Sequence, residues 1–239
     1  FEEWMTVQLR DNVRWDKVAI ELITAEGAVQ EFGLTYLIFS QFENGTQNTP
    51  VNLASEATRV FMGIQISCAQ CHDHPNDEWK RQQFHEIAAF FVRTAVVRSD
   101  PSDPRSFVVR STDELRPGVL PKAAVAKGAG RFPREHQMAD KEDPEKKHTV
   151  HPKFLLGQKP SEGLSDVERR ETFASYLTDE SDPWFARAYV NRIWGNLMGE
   201  GFYEPIDDLG PGREARFPMI IDRLASAWRA SDYDVKWLF

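Results

Sequence analysis

Apolar residues near the start of the chain recur at the three- and four-residue spacing of an amphipathic helix. The stripe consists of four residues: Trp15, Val18, Ala19 and Leu22. Gly27 follows as a residue type that commonly ends helices. The pattern predicts that residues 1–26 are helical, as two helices broken near Asp11 and Asn12.

Two further helices are predicted, one on each side of residues 66–77. Asn52 can cap the first of them, whose apolar stripe is Ala57, Val60, Phe61 and Ile64. Asp77 can cap the second, whose stripe is Phe84, Ile87, Ala88 and Phe91. The segment between the two stripes is therefore expected to connect two packed helices.

The pattern changes between residues 93 and 160, where Pro, Gly, Lys and Asp accumulate. Only short apolar runs such as 107–109 interrupt this polar stretch. An irregular connecting segment with one β-hairpin is predicted here.

Helical patterning returns in the last third of the chain. Ser165 and Glu168 have the spacing of a capping box, and Asp182 followed by Pro183 is typical of a helix start. The chain is therefore predicted to be mainly α, with two helical modules joined by the irregular segment. The expected boundaries are residues 1–92, 93–160 and 161–239.

Composition narrows the classes of partner. The chain has 239 residues, 41% of them hydrophobic, which is enough for a substantial core. Its 29 basic and 37 acidic side chains give a formal charge of −8, and no basic stripe is present, so we expect no nucleic-acid partner. No apolar run approaches the roughly 20 residues of a membrane span.

Both cysteines of the chain lie in one short motif, Ser-Cys-Ala-Gln-Cys-His-Asp-His-Pro-Asn-Asp, at residues 67–77. The spacing C-x-x-C-H is typical of c-type haem attachment. Cys68 and Cys71 would form the two thioethers, and His72 would be the proximal iron ligand. Haem attachment takes place outside the cytoplasm, so this interpretation predicts a periplasmic or secreted protein.

A haem also needs an apolar wall and a second axial position. Phe61, Trp79 and Phe84 lie in the flanking helices and are the candidate wall, and Lys80 and Arg81 are candidate partners of the propionates. His85 borders the second stripe and is the first candidate for the sixth iron ligand. The other candidates are Met62, His136, Met138, His148, His151 and Met198.

Two alternatives to haem remain open at this point. The first is a zinc or other metal module, with hydrolysis as its chemistry, built from Cys68, Cys71, His72 and His74. The crowding of these candidates within a few positions disfavours a closed tetrahedral site. The second is a structural or interaction module of a larger extracellular protein, with the cysteines as a plain disulfide.

Asp73 and His74 separate this motif from a minimal C-x-x-C-H. His74 is expected to form hydrogen bonds in the turn before Pro75, to contact a propionate or to bind a second metal. Asp73 can accept a hydrogen bond from a ligand histidine and so raise its basicity.

The stretch from Val60 to Pro75, with Trp79 and the run 87–91, resembles the planctomycete-type cytochrome c domain. The stretch Asp182–Trp194 and the segments 207–208 and 234–238 resemble the planctomycete domain of unknown function that usually follows it. The resemblance implies a piece of a larger secreted or periplasmic protein, and a role for Asp73 and His74.

The second resemblance includes Arg192 and the adjacent carboxylates Asp207 and Asp208. Structural ion pairs are expected for them, and an acid–base pair is the alternative. The hypothesis for the whole chain is electron transfer through haem c to an unidentified redox protein, and the sequence does not settle whether the parent protein is an enzyme.

Overall fold

The computed structural model describes residues 1–31, 33–42, 49–100, 102–114 and 134–239. Within these ranges the chain is mainly α, as predicted, with a few short antiparallel strands. The helices are α1 Glu2–Arg10, α2 Trp15–Thr24, α3 Tyr36–Ser40, α4 Thr49–Ala57, α5 Arg81–Ala88, α6 Asp166–Thr178, α7 Trp184–Met198 and α8 Pro218–Ala230. The strands are β1 Gly27–Ala28, β2 Thr94–Arg98, β3 Phe107–Ser111, β4 His136–Ala139 and β5 Lys147–Val150.

The prediction of two helices before Gly27 is confirmed, because α1 and α2 are separated at Asp11 and Asn12. Asn12 has a φ of 54°, a left-handed conformation that Asn tolerates better than most residues. The predicted cap at Asn52 is wrong. Helix α4 begins at Thr49, and the Asn52 side chain lies within it and donates to the Gln41 carbonyl at 3.2 Å.

The connecting segment contains more strand than predicted. Strands β2 and β3 form the expected hairpin, but β1 also pairs with β3, with Gly27 opposite Val109, 82 residues later in the chain. Strands β4 and β5 form a second hairpin, with His136 opposite Val150. Residues 115–133 of this segment lie outside the described residues.

The helix starts predicted in the last third are confirmed in their local chemistry. The Ser165 hydroxyl accepts from the Glu168 amide at 3.3 Å, and the Glu168 carboxylate accepts from the Ser165 amide at 2.8 Å. Asp182 Oδ1 accepts from the amides of Trp184 and Phe185 at 2.7 and 2.8 Å. Local hydrogen bonds of this kind depend on residues three apart, which is why the sequence reveals them.

One hydrophobic core joins the first and last parts of the chain. The ring of Trp15 in α2 lies 4.5 Å from that of Tyr189 in α7, and Tyr189 stacks on Trp228 of α8 at 4.7 Å. Residues from the segments 1–92 and 161–239 therefore share a single core. Among the described residues, no helix combines the length and the apolar character that a membrane crossing requires.

Candidate functional site

The C-x-x-C-H motif follows a sharp change in chain direction. Helix α4 continues as a π-helical turn, Thr58–Met62, which Gly63 ends with a φ of 62°. A side chain at Gly63 would lie 2.8 Å from Leu209 Cδ1, so both the backbone conformation and the packing require glycine. The chain then enters a 3-10 helix, Ile66–Gln70, and we call residues 66–72 the motif turn.

The motif turn presents both cysteines to solvent. Ile66 and Ala69 point inward and are fully buried, whereas Cys68 and Cys71 are exposed and are not joined by a disulfide. Cys68 lies within the 3-10 helix and Cys71 directly follows it. The fold therefore offers two free thiols, three residues apart in sequence, on the surface.

His72 is exposed and is held by a main-chain contact. Its Nδ1 lies 2.7 Å from the carbonyl oxygen of Asp73. A carbonyl can only accept, so Nδ1 carries the hydrogen, and the lone pair of the neutral ring is on Nε2. This is the tautomer in which Nε2 is available to a metal.

The Asp73 carboxylate serves helix α5 rather than a histidine. Its Oδ1 accepts from the Arg81 amide at 3.0 Å, and this bond lowers the pKa of Asp73. The predicted cap at Asp77 is therefore wrong. Helix α5 begins at Arg81 after the N-cap Lys80, whose amide donates to Gln83 Oε1 at 2.8 Å, and Asp73 supplies a further acceptor from eight residues upstream.

His74 forms hydrogen bonds within its own turn. Its amide donates to the Trp79 carbonyl at 2.8 Å, and its Nδ1 accepts from the Asn76 amide at 3.2 Å. No three His, Cys, Asp or Glu side chains form a metal-sized group within the described residues. The positions of Cys68, Cys71, His72 and His74 thus give the zinc alternative no convergent set.

The aromatic rings expected to line a haem are part of the protein core. Phe61, Trp79 and Phe84 are between 0 and 4% exposed. Phe61 packs near Trp15, and Trp79 meets Trp184 edge-on at 5.7 Å. These rings are already covered by protein, so they do not provide a wall at the exposed thiols, and this part of the site does not fit the expectation.

His85 has a hydrogen-bond partner at each ring nitrogen. Its Nε2 lies 3.0 Å from the Gln70 carbonyl oxygen, and its Nδ1 lies 2.8 Å from Nε2 of His136. Burial lowers the pKa of His85, and burial together with the neighbouring His85 lowers that of His136 to about 4. Both shifts favour the neutral ring at physiological pH.

The remaining candidates for the sixth ligand are scattered. Met62 is fully buried in the core and Met198 is 62% exposed. His148 Nε2 lies 2.9 Å from Asp140, and His151 lies on the surface near Glu135. Arg81, a predicted propionate partner, instead donates to main-chain oxygens.

A loop from the last part of the chain, residues 207–213, which we call the docking loop, contacts residues before and after the motif turn. The Leu209 amide donates to the Gly63 carbonyl at 2.7 Å, and the Gly212 amide donates to Asp77 Oδ1 at 3.1 Å. At Gly210 there is no room for a side chain, because a Cβ would lie 1.7 Å from Asp77 Oδ2. Gly63 precedes the motif turn in the sequence and Asp77 follows it, so the loop contacts the chain on both sides of the motif turn.

The adjacent carboxylates of this loop are engaged in ion pairs. Asp207 bonds Arg59 at 3.0 Å and also pairs with Arg192, which in turn donates to the Val60 carbonyl at 2.9 Å. Asp208 pairs with Arg213 at 2.8 Å. This arrangement is the structural one expected from the sequence, and it anchors the loop to the π-helical turn.

Two family models match the chain. Residues 1–96 match PSCyt2, a protein of unknown function (DUF1549). Residues 169–239 match PSD1, a protein of unknown function (DUF1553). Both families are typical of planctomycete proteins, which confirms the planctomycete resemblance, while the cytochrome character stays a prediction. Comparisons with curated proteins and with solved structures found no match.

The family boundaries show how the site is assembled. The motif turn lies in the PSCyt2 segment, and the loop that contacts Gly63 and Asp77 lies in the PSD1 segment. His136, which contacts His85, lies between the two segments. No local sequence pattern predicts the contact between His85 and His136, because the two residues are 51 positions apart. The two glycines of the docking loop are a signal of close backbone approach.

Replacing Gly210 by alanine is expected to lower the free energy of unfolding by about 1–3 kcal/mol, as overpacking does. The new methyl group would displace the Asp77 carboxylate and break its bond to Gly212. Gly212→Ala is the matched control, because its Cβ would lie 3.2 Å from Asp77 and requires a smaller shift. Chemical denaturation measures both, and equal effects would contradict the close approach at Gly210.

Proposed function

We propose that this chain carries a c-type haem at Cys68 and Cys71, with His72 as an axial ligand, and that it transfers electrons. The supporting observation is the state of His72: its Nδ1–H is held by the Asp73 carbonyl, which leaves the lone pair on Nε2, and the residue directly follows two exposed, unpaired cysteines in the motif. A bound haem supplies a one-electron couple whose potential depends on its ligands and its exposure.

The residues of the chain have distinct tasks under this proposal. Cys68 and Cys71 anchor the group, and Asp73 orients His72 through its main-chain oxygen. Since Phe61, Trp79 and Phe84 are buried elsewhere, a group at the motif turn is exposed to water on at least one side. Water stabilises the more highly charged oxidised iron, so we expect a lower reduction potential than in a haem enclosed by apolar side chains.

The proposal implies a periplasmic or secreted location, because haem is attached outside the cytoplasm, and it implies an unidentified redox partner protein. Within a larger parent protein, the chain would deliver electrons to, or accept them from, the rest of that protein.

Coexpression of the chain with haem attachment machinery tests this function. The matured protein is expected to keep its Soret absorbance after denaturing chromatography and to gain the mass of one haem per chain. Cys68→Ala combined with Cys71→Ala is expected to abolish the covalent pigment, because both thioethers are lost.

His72→Ala and His74→Ala form the matched pair of controls. The His72 variant is expected to keep covalent pigment with an altered iron spectrum, whereas the His74 variant is expected to retain the wild-type spectrum. Stoichiometric zinc with no iron would favour the metal module instead. A chain with neither metal, and with a Cys68–Cys71 disulfide, would favour the structural module.

A further inference from the structure

Two side chains of α5 meet at one main-chain oxygen inside the motif. The carbonyl of Gln70, which lies between the two cysteines, accepts from His85 Nε2 at 3.0 Å and from Arg81 Nε at 3.3 Å. This carbonyl belongs to the peptide group that precedes Cys71. Its direction therefore affects where the Cys71 thiol and the His72 ring point.

Strand β4 lies behind both donors. His136, at the first position of the strand, has its Nε2 2.8 Å from His85 Nδ1. The carbonyl of Ala139, at the last position, accepts from Arg81 Nη2 at 2.7 Å. Strand β4 thus contacts both of the side chains that donate to the Gln70 oxygen.

When both rings are neutral, only one arrangement of hydrogens satisfies these contacts. The Gln70 carbonyl has lone pairs alone, so His85 Nε2 must donate. In the neutral ring, His85 Nδ1 is then an acceptor, and His136 Nε2 must donate to it. The two rings are 7 and 8% exposed, so solvent does not readily replace a lost partner.

We propose that His136 is a positioning residue for the motif turn, because its Nε2–H fixes His85 in the tautomer whose own N–H holds the Gln70 carbonyl. His136 lies outside both matched segments, 1–96 and 169–239, so the connecting segment contributes directly to the site. The inference deepens the proposed function, since the motif turn is the proposed haem anchor.

The test uses the haem-free, reduced chain, so that it is independent of haem attachment. Nitrogen-15 NMR of the histidine rings at neutral pH is expected to show His85 with hydrogen on Nε2 and none on Nδ1. A His85 ring with hydrogen on Nδ1 overturns the proposal without any variant.

His136→Phe and His136→Gln then separate the hydrogen bond from ring packing. Phenylalanine keeps an aromatic ring stacked on His85 but donates nothing, whereas glutamine restores an N–H donor. The phenylalanine variant is expected to shift the Gln70 carbonyl carbon and the Cys71 amide nitrogen, and the glutamine variant is expected to return both toward their wild-type values.

Thiol alkylation provides a second measurement. Loss of a typical buried hydrogen bond changes an equilibrium about fivefold, so in His136→Phe we expect an about fivefold change in the alkylation rate of Cys71 relative to Cys68. His148→Gln is the matched control, because His148 lies in the same hairpin but is exposed and pairs with Asp140. We expect no change in that variant.

Wild-type shifts and wild-type alkylation in His136→Phe would overturn the proposal, as would equal changes in His136→Phe and His148→Gln. Failure of the matured protein to hold covalent haem would count against the proposed function alone, because the NMR and alkylation measurements do not depend on haem.

Discussion

Replacing Arg170 by methionine is expected to lower the free energy of unfolding by about 3–5 kcal/mol, the usual effect of removing one partner of a buried ion pair. The side chains of Arg170 and Asp166 are both 0% exposed and are joined at 3.0 Å. Methionine fills a similar length of space but leaves Asp166 without its partner. Burial already raises the pKa of Asp166 even with Arg170 beside it.

Arg170 also connects α6 to the end of α2. Its Nη1 donates to the carbonyls of Ile23 and Ala25 at 3.1 and 3.0 Å, and its Nη2 contacts Glu26. Carbonyls at the C-terminal end of a helix have no partner within that helix. The substitution therefore removes hydrogen bonds that hold the PSD1 segment to the PSCyt2 segment, in addition to the ion pair.

Urea denaturation at neutral pH measures this effect. Arg170→Met combined with Asp166→Asn is expected to recover part of the lost stability, because no uncompensated charge then remains buried. Arg10→Met is a suitable control, since the Arg10–Asp11 pair lies on the surface and its loss is expected to have no measurable effect. A change of less than about 1 kcal/mol in Arg170→Met would contradict the structural role of this pair.

Asp182→Asn is expected to stabilise the protein increasingly as the pH rises from about 4 to 8, by up to a few kcal/mol. Asp182 is 0% exposed, and burial raises its pKa to about 7. Its Oδ1 caps α7, while its Oδ2 has no hydrogen-bond partner in the described structure. Asparagine keeps the capping oxygen and carries no charge at any pH.

The sign of this dependence follows from the pKa in the two states. The native carboxyl holds its proton up to about pH 7, whereas the unfolded carboxyl releases it near pH 3.8. Between these values the native state binds more protons, so the contribution of Asp182 to stability falls as the pH rises. The asparagine variant lacks this loss, and its advantage over the wild type grows over the same range.

Denaturation at several pH values between 4 and 8 provides the measurement. Asp182→Ala is the comparison variant, because it removes the charge and the cap together and is expected to lose about 1 kcal/mol relative to asparagine at every pH. A difference between asparagine and wild type that stays constant with pH would show that Asp182 titrates normally.

The sequence predicts the parts of the fold that depend on neighbouring residues. The Ser165–Glu168 box and the Asp182 cap lie within three residues of the groups they bind, and the break near Asn12 lies just before the apolar stripe that begins at Trp15. By contrast, the Arg81 amide at the start of α5 donates to Asp73 from eight residues upstream, and β1 has only two residues paired with a distant strand. Patterns of three or four residues contain no information about such contacts.

The candidate site likewise has a part that local spacing predicts and a part that depends on distant residues. Cys68, Cys71 and His72 are recognisable by spacing, and the structure presents them on one exposed turn. An apolar stripe does not distinguish a ring that faces a cofactor from one that faces the core, which is why the sequence suggests a haem wall of Phe61, Trp79 and Phe84, whereas these rings lie in the core. The histidine partner of His85 comes from a hairpin 51 residues later, so only the folded chain reveals it.

The contacts between the docking loop and the motif have a consequence for the order in which the protein matures. Gly212 is 135 residues beyond Asp77, so a chain synthesised from its N-terminus exposes the two cysteines long before their final neighbours exist. During that interval Gly63 lacks Leu209 and Asp77 lacks Gly212, and the thiols belong to a loosely held segment. The two ends of the motif segment are therefore fixed only after residue 212 has been synthesised, so the orientation of the thiols is set late in folding.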